Sequence, residues 1–119
     1  MQDVPLAQRS CEIFKEGTPP IAPAEAQRYL SQLSGWSMQG DGKELHKAYK
    51  FRDFDRPLAF VNRIGAVADE QDHHPDILLG WGKAEITLST HSVGGLSIND
   101  FILAAKIDDL AKDAPGLRA

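Results

Sequence analysis

The chain has 119 residues, of which 42% are hydrophobic and 25% charged, and its formal net charge is −4 at pH 7. This length fits one domain with a modest core. The acidic balance, without any cluster of lysine and arginine, argues against a nucleic-acid partner. No run approaches the roughly 20 apolar residues of a membrane span. The start of the chain lacks the apolar segment of a signal peptide, so the sequence predicts a cytoplasmic protein.

The beginning of the chain shows no regular apolar period and ends in Thr18-Pro19-Pro20. We therefore expect an extended or flexible N-terminal arm over residues 1–21. Cys11 is the only cysteine, which excludes an internal disulfide, and it is interpreted as an incidental thiol. A single domain is expected over residues 22–114, with a frayed tail at residues 115–119.

The first predicted helix spans residues 23–34, because proline stands at its start and glycine follows its end. A hairpin is expected next, with strands over residues 36–39 and 43–51. The link between them contains glycines that can supply positive φ. Trp36 opens this hairpin, and an aromatic side chain there is more often part of the core than a platform for a ligand.

The strongest helix pattern covers residues 53–72, with Pro57 in the first turn. Its predicted buried stripe consists of Phe54, Leu58, Val61, Ile64, Gly65 and Ala68. The end of this helix carries several acidic residues, which face the negative end of the helix dipole. A segment that breaks a local rule in this way is a candidate functional site.

That segment is Asp69-Glu70-Gln71-Asp72-His73-His74-Pro75, and it contains two of the four histidines. Histidine exchanges protons near neutral pH, and an adjacent carboxylate can orient its ring. Asp69, Asp72 and His73 would share one face if the helix persists that far. Pro75 places the helix end near His74.

A second hairpin is predicted over residues 76–81 and 83–90. Strict alternation in its second strand places His91 at the strand end, on the polar face. A third helix then begins at Ser97, where Asp100 completes a capping box. The element order α-β-β-α-β-β-α predicts an α+β fold, in which a four-stranded antiparallel sheet has helices packed on one face.

Three interpretations of the histidines stay open on the residues alone. The first is acid/base catalysis by His73, His74 and His91. The second is a zinc site formed by these histidines and Asp72, although adjacent histidines are not the usual ligand spacing. The third is a helix end at the surface without chemical function.

Several motifs of this chain resemble those of the pterin-4a-carbinolamine dehydratase family, in the expected order over residues 20–112. They are Gly35-Trp36, Phe51-Arg52-Asp53-Phe54, Asp69-x-x-Asp72-His73-His74-Pro75, Ile86-Thr87-Leu88-Ser89-Thr90-His91 and Gly95-Leu96-Ser97-x-x-Asp100. The resemblance implies loss of water from 4a-hydroxytetrahydropterin, which gives quinonoid dihydropterin and recycles the cofactor of aromatic amino acid hydroxylases. It implies no metal and no organic cofactor.

The resemblance also implies roles for individual residues. His73 and His91 are expected to be the main acid/base pair, and His74 is expected to bind and position the pterin. The residues expected to contact the substrate are Asp69, Asp72, Pro75, Trp36, Thr90 and Asp100. Asp69 stands where the family usually has Glu, and Asn99 stands where Arg or Lys is common.

Some members of the family also act as binding modules that stabilise dimers of a homeodomain transcription factor. This sequence carries no signature of that activity, so it is the alternative function. The exposed edges of a small sheet favour self-association. We therefore expect a homodimer or a dimer of dimers, with a pterin as the small-molecule partner and neither nucleic acid nor membrane as partners.

Overall fold

A computed structural model describes residues 4–117. The elements are α1 (Pro23–Leu30), β1 (Ser37–Gln39), β2 (Glu44–Lys50), α2 (Asp55–Gln71), β3 (Asp76–Gly80), β4 (Lys83–Leu88) and α3 (Ile98–Lys112), with 3₁₀ turns at Leu6–Gln8 and His91–Val93. The predicted order of helices and strands is confirmed in this range. The parts of the predicted arm and tail that fall on residues 1–3 and 118–119 lie outside the described residues. None of the described helices is long and apolar enough to cross a membrane.

The four strands of the described chain form one sheet in the order β1-β2-β4-β3. All neighbouring pairs are antiparallel, with Leu45 opposite Leu88 and Ile77 opposite Ile86. The predicted alternation in β4 is confirmed, because Ala84, Ile86 and Leu88 are completely buried. The helices cover this face, so the predicted α+β architecture is confirmed.

Helix α1 is shorter than predicted, because its regular part ends at Leu30. The next residues tighten into 3₁₀-type turns, in which the N–H groups of Gln32 and Leu33 donate to carbonyls three residues earlier. Such turns commonly satisfy the orphan carbonyls at the end of a helix. The chain therefore leaves the helix axis before Ser34.

The buried stripe of α2 differs from the predicted one. Phe54 and Leu58 are 42% and 39% exposed, whereas Pro57 and Phe60 are buried together with Ile64 and Ala68. Phe60 decides this rotation, because its ring packs 4.9 Å from that of Tyr49 and 5.7 Å from that of Phe51. The prediction was wrong at Phe54 and Leu58, since periodicity alone does not distinguish two adjacent apolar stripes.

An inward-facing lysine on β2 is accommodated by an acid on α3. Lys47 Nζ donates to Asp108 at 2.7 Å and to the Ser34 carbonyl at 2.6 Å. Asp108 also accepts from Trp36 Nε1 at 3.0 Å and from the Tyr49 hydroxyl. Burial and then the hydrogen bond to Asp108 raise the pKa of Tyr49 well above its usual range. Asp108 thus joins α3 to β2 and to Trp36, the residue directly before β1, on the helix-covered face.

Replacing Asp108 with alanine is expected to lower the free energy of unfolding by about 2–3 kcal/mol, because three donors lose their acceptor together. Urea denaturation measures the change. Asp109→Ala is the matched control, because Asp109 is exposed and its ion-pair partner among the described residues is Lys112, at 3.1 Å. It should change stability by no more than about 0.5 kcal/mol. Equal losses in both variants would contradict the assignment.

Candidate functional site

Helix α2 ends in a left-handed turn at Asp72. Its φ is 53° and its ψ 41°, a conformation that aspartate adopts more readily than most residues. The His73 N–H donates to the Ala68 carbonyl at 3.2 Å across this turn, as in a Schellman-type helix end. The turn sends His73 and His74 away from the helix axis. Because the helix stops at Gln71, the condition under which Asp69, Asp72 and His73 would share a helical face is not met.

His73 points to the start of α3. Its Nε2 lies 2.6 Å from Asp100 Oδ1, and the side chains of His73 and Asp100 are 11% and 0% exposed. A carboxylate only accepts hydrogen bonds, so this contact places a proton on Nε2. The other ring nitrogen, Nδ1, is then the one left to exchange a proton with a ligand. Asp100 fixes both the orientation and the tautomer of His73.

Asp100 has a second set of partners, in the chain that precedes α3. Its Oδ2 accepts from Thr90 Oγ1 at 2.8 Å and from the Ser97 N–H at 3.0 Å. The predicted capping box is confirmed, with Ser97 as the N-cap and Asp100 at the third helical position. Asp100 was predicted from the sequence as a helix cap and, by resemblance, as a substrate contact. In the structure one carboxylate caps the helix and binds His73.

His74 pairs with a different acid and lies in the open. Its Nε2 is 2.8 Å from Asp69 Oδ1, and both side chains are more than half exposed. Solvent screens such a pair, so it contributes little to stability. Both groups are therefore accessible to a ligand.

His91 lies in the 3₁₀ turn that follows Thr90 and is exposed. It lines a cleft of about 250 Å³ together with Lys43, Glu44, Ser89, Thr90, Gly94 and Gly95. Thr90 connects this turn to the rest of the cluster, because its hydroxyl donates to Asp100. A continuous chain of hydrogen bonds therefore runs from His73 through Asp100 to the residue directly before His91.

The remaining predicted site residues differ in whether they lie near the histidines. Pro75 is half-buried directly after His74, and Asp72 is exposed at the turn. Trp36 is buried, and its contacts are the bond to Asp108 and an edge-to-face packing on Tyr49 at 6.5 Å. Among residues 4–117, no hydrogen bond or ring contact joins Trp36 to the histidines. The structure thus brings together His73, Thr90 and Asp100, and it places Trp36 in the core.

Two features of this cluster were not predicted from the sequence. Asp72 and Asp69 were both expected beside the histidines, but which acid pairs with which ring was not predicted: His73 pairs with Asp100 and His74 with Asp69. Ser97 was predicted only as a cap, although its hydroxyl lies 2.8 Å from Thr90 Oγ1. The capping box itself was the available indication, since it fixes the Asp100 carboxylate at the start of α3. In the described part of the chain, no three His, Cys, Asp or Glu side chains are arranged to hold a metal ion.

The fold and this cluster define a two-layer α+β protein with paired histidines and carboxylates at one end of its sheet. Residues 19–110 match the family model described as Pterin 4 alpha carbinolamine dehydratase. The chain therefore belongs to the pterin-4a-carbinolamine dehydratase family. The matched residues exclude most of the N-terminal arm.

Curated relatives agree with this assignment. A Rubrobacter xylanophilus protein with the provisional name pterin-4-alpha-carbinolamine dehydratase is 48% identical over 105 residues, which cover 88% of this chain and 97% of the relative. A Halorhodospira halophila protein with the same provisional name is 45% identical over 105 residues, covering 88% of this chain and 96% of the relative.

Two solved structures are similar to the chain. A transcriptional coactivator/pterin dehydratase from Brucella melitensis has a TM-score of 0.74 and 27% identity, with 77% of this chain and 98% of that chain covered. A pterin dehydratase-like protein identified as a RuBisCO assembly factor in the alpha-carboxysome has a TM-score of 0.56 and 29% identity, with 66% and 90% covered.

Proposed function

We propose that this protein is a lyase that removes water from a 4a-hydroxytetrahydropterin and releases a quinonoid dihydropterin. The observation that carries the proposal is the buried pair of His73 and Asp100, with Nε2 and Oδ1 2.6 Å apart, hydrogen-bonded through Thr90 to the turn that holds His91. Family membership supports the choice of substrate class.

The reaction needs one base and one acid. The base takes the proton from ring N5, the electron pair forms the new carbon–nitrogen double bond at C4a, and the acid protonates the departing hydroxyl to give water. His73 suits the base, because Asp100 holds the proton on Nε2, leaves Nδ1 free and stabilises the imidazolium cation that forms. His91 suits the acid, because it is exposed at the cleft on the adjacent turn.

The exposed groups around this pair suit binding. His74 and Asp69 form a hydrogen-bonded pair that a polar heterocycle can reach, and we assign His74 to positioning the pterin. Asp72 and Pro75 flank the histidines in sequence, and they are proposed substrate contacts with Thr90 and Asp100. Trp36 was expected among these contacts, but its position in the core favours a structural role.

The proposal is tested by supplying 4a-hydroxytetrahydropterin from a hydroxylase reaction and following quinonoid dihydropterin in stopped-flow absorbance. The wild-type protein should accelerate the step over the spontaneous reaction in proportion to protein concentration. A rate equal to the spontaneous rate at all concentrations would reject the dehydratase function.

A protein-binding role is the second candidate, favoured by the names of the two structural neighbours, one a transcriptional coactivator and one an assembly factor. It predicts that histidine substitutions leave partner binding unchanged. The dehydratase function predicts that substitution of His73 or His91 greatly lowers the rate of catalysis while the fold is retained. The kinetic experiment therefore distinguishes the two roles.

Localisation in the cytoplasm stays a prediction from the sequence.

Self-association is expected as a homodimer or a dimer of dimers. Large apolar side chains are exposed near the β3–β4 turn and the start of α2, with Trp81 71% and Leu78 54% exposed. Contiguous exposed apolar surface is typical of association sites. Light scattering should give a mass of two or four chains, and a monomer at all concentrations would contradict this expectation.

A further inference from the structure

The N-terminal arm contacts the domain at several places, although most of the arm lies outside the residues that match the family model. Leu6, in the first 3₁₀ turn, is buried in the core. Lys106 Nζ, on α3, donates to the Ala7 carbonyl at 2.8 Å. The arm then runs along α3 toward its N-terminus, which is the end that carries Asp100.

Asn99 binds the arm backbone with its whole amide group. Its Oδ1 accepts from the Glu12 N–H at 2.7 Å, and its Nδ2 donates to the Glu12 carbonyl at 2.8 Å. Asn99 is buried, so solvent does not compete strongly for these bonds. This two-point contact fixes the arm beside the first turn of α3, as a neighbouring strand would.

The preceding arm residue, Cys11, binds the end of α2, which leads to His73. The Cys11 N–H donates to Gln71 Oε1 at 2.8 Å, and Gln71 is the last residue of α2. Two consecutive arm residues therefore hold the end of α2 and the start of α3. Gln71 stands two positions before His73, and Asn99 stands directly before Asp100.

We propose that the Cys11-Glu12 segment is a strap that sets the separation of α2 and α3, and that Asn99 is a positioning residue for the His73–Asp100 pair. His73 follows a left-handed turn and lies outside the helix. The bond from its N–H to the Ala68 carbonyl holds its backbone, but the hydrogen bonds of α2 do not set the distance from its ring to Asp100 on α3. A 2.6 Å contact between two elements needs their relative placement to hold within a fraction of an ångström. The strap provides bonds to both elements next to the pair. Only the catalytic consequence of this proposal rests on the proposed dehydratase function.

Cys11 is a native reporter of the strap. Burial is the main cause that raises the pKa of its thiol to about 11, so about one thiol in a thousand is ionised at pH 8 while the arm is bound. Cys11 is half-buried while the arm is bound. Release of the arm exposes it further and accelerates its reaction with an aromatic disulfide reagent. The rate of this reaction therefore measures opening of the strap, with no need for substrate.

The test compares Glu12→Pro with Glu12→Ala in the full-length protein. Proline removes the N–H that Asn99 accepts, whereas alanine removes only a side chain whose partner is Arg9 on the same arm, at 3.6 Å. Asn99→Ala removes the same contact from the other side. Three measurements are made: the Cys11 labelling rate, the tautomer of His73 in long-range ¹H–¹⁵N spectra assigned with His73→Gln, and kcat and KM.

Glu12→Pro and Asn99→Ala are expected to label at Cys11 about 10-fold faster or more. His73 should change from one fixed Nε2–H tautomer to a mixture, and kcat should fall about 10-fold with little change in KM. Glu12→Ala should match the wild type in the His73 spectrum and in kcat and KM. It should label only slightly faster, because the Glu12 charge is a minor cause of the raised pKa of Cys11. Faster labelling with an unchanged His73 spectrum would overturn the proposal, because the strap would then be only structural. Identical behaviour of Glu12→Pro and Glu12→Ala would also overturn it.

This experiment can reject the strap proposal and the dehydratase proposal independently of each other. Labelling rates and imidazole spectra that change as expected support the strap, even if the wild-type protein does not accelerate dehydration. If the wild-type protein is a dehydratase and the His73 spectrum is unaffected in Asn99→Ala, the dehydratase function stands and the strap proposal is rejected.

Discussion

His73→Ala is expected to lower kcat/KM for 4a-hydroxytetrahydropterin by about 10²–10⁴-fold, which is the range for loss of a positioned acid or base. Alanine removes the imidazole that Asp100 orients, and among the described residues no other histidine contacts Asp100. His91→Ala should cause a loss of the same order, because it removes the proposed acid. Stopped-flow rates corrected for the spontaneous reaction measure both.

His74→Ala and His46→Ala are the comparisons for these variants. Exposed His74 is assigned to binding, so its loss should raise KM more than it lowers kcat. His46 lies on β2 and pairs with Glu85 at 3.3 Å. Neither residue is among those assigned to the site, so His46→Ala should retain wild-type kinetics. Full activity in both His73→Ala and His91→Ala would reject the assignment of the catalytic pair.

The architecture was predictable because local patterns agreed with the final packing. Alternation in β4 matched its buried face, and the capping box at Ser97 and Asp100 marked the start of α3 within one residue. The error in α2 has a physical cause. Phe54 and Phe60 both fit a helical apolar stripe, and only the aromatic contacts of Phe60 across the core decide between them.

The sequence predicted which residue types form the site, but it did not predict which acid pairs with which histidine. Sequence adjacency suggested that Asp72 serves the histidines, but its left-handed backbone turns His73 toward α3. The partner is Asp100, 27 positions away. No local pattern encodes such a pairing, because it depends on how α2 and α3 pack.

The same limit applies to contacts of the arm and of Trp36. Asn99 and Glu12 are separated by 87 positions, and Trp36 and Asp108 by 72. Each of these residues has an ordinary local interpretation, as a helix residue, an arm residue or an aromatic at a strand. Their roles arise only from tertiary structure, which one sequence read locally does not contain.

Asp100→Asn is expected to separate the two tasks of this carboxylate. Asparagine keeps the size of aspartate but has one acceptor oxygen and one donor nitrogen. If the oxygen keeps the bonds from Thr90 and the Ser97 N–H, the amide nitrogen faces His73 and forces Nε2 to accept. The proton then moves to Nδ1, and the proposed base is lost. The rate should fall about 10²–10⁴-fold, with a loss of only about 1 kcal/mol in unfolding free energy.

Ser97→Ala is the matched variant, because it removes the N-cap side chain and leaves the bond between His73 and Asp100. It should cost about 1 kcal/mol of stability, the usual value for a lost cap, and retain nearly the wild-type rate. Urea denaturation, stopped-flow kinetics and the ¹⁵N tautomer of His73 are measured on both variants. Near-wild-type activity in Asp100→Asn with a shifted tautomer would show that Nδ1 is not the base. Because the two variants have similar stability, a difference in rate between them reports on the orientation of His73 and not on folding.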